Sequence, residues 1–182
     1  MHLMGRNHLS SQRESFMPET PVDDPALFDD ASSQSLRDFF NSHHDKLLCT
    51  ANRLGEPSIA VMGTPRLLRD GTIDFEISDL VSVTLDNIQQ NEAVAFLAYK
   101  PGPRARDYSG VRIYARVTQI LTHGDKIDTI RRAILEKHGA EKAAELQATV
   151  NCAVVKVRPI VDRGQRWDRP AFEDVLDGAG EH

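Results

Sequence analysis

The stretch that decides the fold runs from Gly63 to Tyr99: GTPRLLRDGTIDFEISDLVSVTLDNIQQNEAVAFLAY. Its Asp70-Gly71 pair is a strong hairpin signal, because glycine adopts the left-handed backbone that a tight turn needs. Residues 66–69 and 72–78 on either side therefore pair antiparallel. Residues 82–91, SVTLDNIQQN, read as a short helix. Ser82 caps its start, Leu85 and Ile88 face inward, and Asn91 ends it in the left-handed conformation. EAVAFLAY follows at once and is almost wholly apolar, the pattern of a central strand covered on both faces.

Working outward, 46–53 and 58–64 read as two strands joined by a turn at Leu54-Gly55-Glu56-Pro57. Ahead of them a helix from Ser33 to Asp45 buries Leu36, Phe39, Phe40 and His43, which recur at helical spacing. Downstream, PGPRARDYSG (101–110) is a loop longer than a hairpin requires. In 111–120 the residues alternate, with Val111, Ile113, Ala115 and Val117 on one face and Arg112, Tyr114, Arg116 and Thr118 on the other. A helix from Asp125 to His138 carries an inner stripe of Ile127, Ile130 and Ile134. A second short helix follows at 140–147. A last strand, 149–159, stops at Pro159.

This order lacks the βαβα alternation of a dinucleotide-binding sheet, and neither a G-x-G-x-x-G nor a nucleotidase phosphate loop occurs. The expected fold is mainly β: an antiparallel split barrel of six or more strands with peripheral helices. It spans 32–160, between an N-terminal arm (1–31) and a C-terminal tail (161–182).

The chain has 182 residues and a formal net charge of −5. Its charges are mixed in sign along the sequence, which argues against a nucleic-acid partner. Cys49 and Cys152 lie in apolar runs and read as buried thiols. No Cys/His spacing suggests a metal site. The first 20 residues lack the apolar stretch that export requires, and no segment resembles a membrane span. The cytoplasm is the expected compartment.

The chemistry centres on the start of the 82–91 helix. A helix N-terminus at a barrel edge offers unpaired N–H groups and the positive end of a dipole, a ready phosphate site. Ser82 and Thr84 add hydroxyls, and Arg66 or Arg69 add charge. The same residues admit a plainer reading, with Ser82 a helix cap and the arginines solvated strand-edge residues.

The segment quoted above resembles the core of the pyridoxamine 5′-phosphate oxidase-like, FMN-binding split-barrel family, and LDNIQQNEAVAFLAY carries its closing motif. The resemblance covers roughly 33–160 and implies a homodimer with FMN at the interface. It sets the flavin ring against backbone near Val61–Arg66, so Met62, Gly63, Thr64, Pro65 and Arg66 become ring contacts. It assigns the phosphate to Ser78, Asp79, Ser82, Val83 and Thr84, with Arg66 or Arg69 assisting. Arg112 and Arg116 are further sources of charge, and Tyr108, Tyr114 and Trp167 are candidates to stack on a planar ring.

The sequence departs from the family at one place. An Arg-Lys or His-Lys pair is usual where this chain has Ser82-Val83 or Val83-Thr84. Each lost charge-assisted bond is worth about 1.5–3 kcal/mol, or roughly tenfold to a hundredfold in affinity. The leading expectation is an FMN-dependent oxidoreductase acting on a small molecule. The alternatives are a flavin carrier or sensor, a haem or deazaflavin site (with His123 the available axial ligand), and a dimeric scaffold without a ligand.

Overall fold

The structure is a computed structural model and describes residues 31–161. The expected arm and the tail that holds Trp167 lie outside the described residues. The elements run α1 (Ala31–Ser42), β1 (Lys46–Ala51), β2 (Pro57–Met62), β3 (Arg66–Leu67), β4 (Thr72–Ile77), α2 (Val83–Gln90) and β5 (Ala93–Lys100), then β6 (Ser109–Leu121), α3 (Asp125–His138), α4 (Ala140–Glu145) and β7 (Ala148–Pro159). No helix among them is long and apolar enough to cross a membrane.

The strands form one antiparallel sheet in the order β2-β1-β5-β6-β7-β4-β3. The ends of this order are brought together. Phe75 on β4 and Phe96 on β5 are three places apart in the sheet, yet their rings meet edge-on at 5.7 Å. Only a curled sheet allows that contact, so the sheet is a half-barrel wrapped around its apolar face. Phe40 of α1 closes the barrel, its ring 6.1 Å from Phe96. Leu48, Ile73, Ile113, Val150 and Cys152 fill the interior.

The hairpin expected at Asp70-Gly71 forms as read. Gly71 takes φ +77°. The Asp70 carboxylate accepts from the Thr72 amide (3.0 Å) and hydroxyl (2.7 Å). The two-residue β3 gains a second partner from α1. The Asn41 side chain donates to the Leu67 carbonyl (3.0 Å) and accepts from the Leu67 amide (2.9 Å). That carboxamide completes the edge as another strand would.

Two expectations are corrected. Asn91 ends α2 in an extended conformation (φ −149°, ψ 113°), with its amide bonded to the Asn87 carbonyl. Its side chain instead caps the next strand, accepting from the Ala93 amide at 3.1 Å. β5 is covered on one face only. Val94, Phe96 and Ala98 are buried, while Ala93, Ala95, Leu97 and Tyr99 are half-buried. By register the half-buried face continues through Leu47 and Cys49 of β1 to Ile59 and Val61 of β2. Ile59 and Val61 are 66% and 70% exposed. The run is apolar because the sheet has an inner apolar face and an outer one. For the same reason Cys49 is only half-buried, whereas Cys152 sits in the core.

Candidate functional site

Among the described residues β2 is an edge strand that pairs only with β1, so one side of its backbone carries no strand partner there. Past Met62 the chain turns through Gly63 and Thr64, both exposed, to a buried Pro65. Thr64 ties this exit to the barrel. Its hydroxyl donates to the Glu76 carbonyl and accepts from the Glu76 amide, each at 3.2 Å. The Glu76 carboxyl is pushed up by burial, with Thr64 pulling the other way. Ser78 follows Glu76 by two residues, about 7 Å along a strand. Thr64 is thereby joined to the strand that leads into the 78–82 loop.

α2 is fixed to the barrel by a buried contact that the sequence reading missed. Asn87 donates to the Thr50 hydroxyl of β1 at 3.0 Å. Asparagine is a poor choice inside a helix, and that oddity is the signal that could have found it. The start of α2 is capped as expected, with the Ser82 hydroxyl accepting from the Leu85 amide at 3.2 Å. Thr84 is buried, whereas Val83 is 57% exposed.

The candidate cations are held elsewhere. Arg66 donates to the Asn41 carbonyl at 2.7 Å. It pairs in register with Asp74, four residues and about 13 Å along β4 from Ser78. Arg69 lies beyond the opposite end of β4 from Ser78, about 20 Å away along the strand. Arg112 donates to the Pro159 carbonyl at 3.1 Å, and Arg116 is paired with Glu92. Asp79 and Asp86 stand at the loop and in the first turn of α2. Lys142 of α4 feels the charge of Asp79, but its ammonium is bound to Glu145 at 2.8 Å. Tyr108 stacks on Tyr99, rings 5.6 Å apart and 10° from parallel. Tyr114 is half-buried on the outer face and His123 is exposed beyond β6. A separate groove of about 660 Å³ opens at the other end of α2, between 88–92 and 117–120.

Measured against FMN, the two halves of this site differ. The open edge of β2, with Val61 and Met62 beside it, fits a flat ring. The phosphate end fits poorly, because Asp79 and Asp86 stand on it and the cation that feels Asp79, Lys142, is engaged by Glu145.

Beneath the strip lies a second group that the sequence reading missed. Lys46, the register partner of Met62, is wholly buried. Its ammonium donates to the His43 carbonyl and lies 5.1 Å from the centre of the Phe40 ring. Burial first, and then the charge of Arg66, lower its pKa to about 8 against an opposing pull from Asp45. A lysine in the unfolded chain titrates near 10.5. Between these values the unfolded chain holds a proton that the folded one has released, so stability from this site rises with pH. Cys152 works the other way above pH 9, since burial pushes its thiol up to about 12. Comparison with Lys46→Met cancels the cysteine, which both proteins carry. The unfolding free energy of the parent should gain on that of Lys46→Met from pH 8 to 10.5 in urea melts. A difference that stays flat with pH would refute the reading.

No family model and no curated protein matches the sequence. Solved structures do. An FMN-binding protein from Syntrophomonas wolfei superimposes with a TM-score of 0.60 at 20% identity, over 75% of this chain and 91% of that one. HupZ from group A Streptococcus gives 0.55 at 18%, over 69% and 91%. A putative pyridoxamine 5′-phosphate oxidase from Lactobacillus delbrueckii gives 0.52 at 17%, also over 69% and 91%. At such identities the likeness is one of backbone. The chain therefore has the split-barrel fold of these FMN-binding and pyridoxamine 5′-phosphate oxidase-like structures.

Proposed function

We propose that the chain is a flavin-binding homodimer, with the flavin ring along the open edge of β2, and that it serves as a flavin-dependent oxidoreductase of a small molecule. The observation that carries this reading is the bond pair from Thr64, where the chain leaves that edge, to Glu76, just ahead of the 78–82 loop, in a fold shared with an FMN-binding protein. The dimer rests on the outer apolar face. Leu47, Cys49, Ile59, Val61, Ala95 and Leu97 share it by register, and it ends on an unpaired strand edge. Such edges and patches are normally covered.

A bound flavin supplies the redox chemistry itself. The part left to this chain is to orient the ring through the β2 backbone and to exclude water with the apolar outer face. The test is an absorbance spectrum of the fresh protein, repeated after riboflavin or FMN is added and the excess removed, with molar mass measured alongside. Retained flavin bands on a dimer support the reading, and bleaching by reduced nicotinamide supports the oxidoreductase. A bound flavin that no donor reduces makes the protein a carrier. A colourless protein that retains neither flavin overturns the flavin reading and leaves the scaffold.

A further inference from the structure

The start of α2, where a phosphate would lie, is built against one. Leu80, Val81 and Val83 are 75%, 88% and 57% exposed, so the rim of the α2 start is apolar. Asp79 precedes them, and Asp86 occupies the first turn of the helix. The Ser82 hydroxyl already accepts from the Leu85 amide, and the Asp86 amide bonds the Ser82 carbonyl at 3.1 Å. What remains at the helix start is neutral: the Ser82 hydroxyl proton and the amides of Val83 and Thr84, which have no carbonyl one turn earlier to bond.

Neutral donors at a helix start can hold a hydroxyl, and they favour a phosphate only while no negative charge stands beside it. Asp79 and Asp86 would repel a dianion here, and among the described residues the cation that feels Asp79, Lys142, is already bound to Glu145. The arginines that could supply charge are committed elsewhere or lie about 13–20 Å away along β4.

Building on the flavin reading above, we propose that this chain selects a flavin whose ribityl tail ends in a hydroxyl, riboflavin, over the phosphate ester FMN. The determinant is the Asp79–Val83 segment together with Asp86. Two consequences separate this from mere weak binding. FMN affinity falls between pH 5.5 and 7.5, as the second phosphate proton leaves near pH 6, while riboflavin affinity stays level. Val83→Lys restores a cation at an exposed position, where the longer side chain meets no packing obstacle. It should raise the affinity for FMN relative to that for riboflavin roughly tenfold to a hundredfold.

The experiment is a flavin-fluorescence titration of the full chain with riboflavin and with FMN at both pH values, for the parent and Val83→Lys. The expected result is riboflavin binding at least as tightly as FMN at pH 7.5, with the order reversed in Val83→Lys. Parent protein that binds FMN tenfold more tightly than riboflavin would overturn the proposal while leaving the flavin reading intact. Protein that binds neither would sink both.

Discussion

Phe96→Ala should cost about 3–5 kcal/mol of folding free energy, the usual range for emptying a buried aromatic site. Phe96 is fully buried at the middle of β5. Its ring is the shared partner of Phe40 and Phe75, met edge-on from both sides at 88° and 75°. Those two rings come from the helix that closes the barrel and from the far side of the curl. One side chain therefore links three parts of the chain that the backbone ladder does not join directly. A domain of this kind is stable by only about 5–15 kcal/mol. The loss should appear as a thermal midpoint lower by roughly 6–20 °C. Phe96→Leu should lose much less, because leucine refills part of the cavity. A drop under 1 kcal/mol for Phe96→Ala would mean that the aromatic trio does not hold the curl.

The succession of elements along the chain and the hairpin were legible because they rest on local chemistry. Asp70-Gly71 fixes the β3–β4 turn, and the alternation of Val111, Ile113 and Ala115 fixes the inner face of β6. The barrel was expected from the order of elements, but the contacts that close it were not legible, since nothing in the spacing of Phe75 and Phe96 says that their rings meet. The apolar run of β5 misled for a related reason. Periodicity reports that both faces are apolar, and it cannot say whether this chain or another molecule covers the second. Asn91 was read from the usual helix stop, but its carboxamide found a better bond on the next strand.

At the candidate site, the arrangement of charge was not legible. Arg66 and Arg69 are close to Thr64 in sequence, yet the hairpin carries Arg69 to the far end of β4 and Asn41 engages Arg66. Lys46 and Asn87 escaped notice because each is a polar residue inside an apolar pattern, bonded to a partner that only folding supplies. The valine at 83 was visible from the start. Its meaning needed the structure, which sets it exposed between Asp79 and Asp86, with Lys142, the described cation that feels Asp79, engaged by Glu145.

Gly110→Ala is the second change expected to be severe, although it adds a single methyl. Gly110 pairs with Tyr99 where β5 and β6 begin to run together, and its carbonyl accepts from the Ile160 amide at 2.9 Å. A Cβ here would stand 2.4 Å from the Ala98 carbonyl oxygen and 2.7 Å from the Tyr99 Cα. Both obstacles are backbone, so no side-chain rotation relieves the clash. The ladder itself must part, and the ring of Tyr99, stacked on Tyr108, must move with it. Overpacking of this kind costs about 1–3 kcal/mol and more where nothing can yield, so the upper end is expected. Urea unfolding should show a lower midpoint with an unchanged slope, since the fold survives. Amide exchange should quicken first around Tyr99, Gly110 and Ile160, because the opened ladder is local. An alanine protein as stable as the parent would show that β5 and β6 do not approach this closely at Gly110.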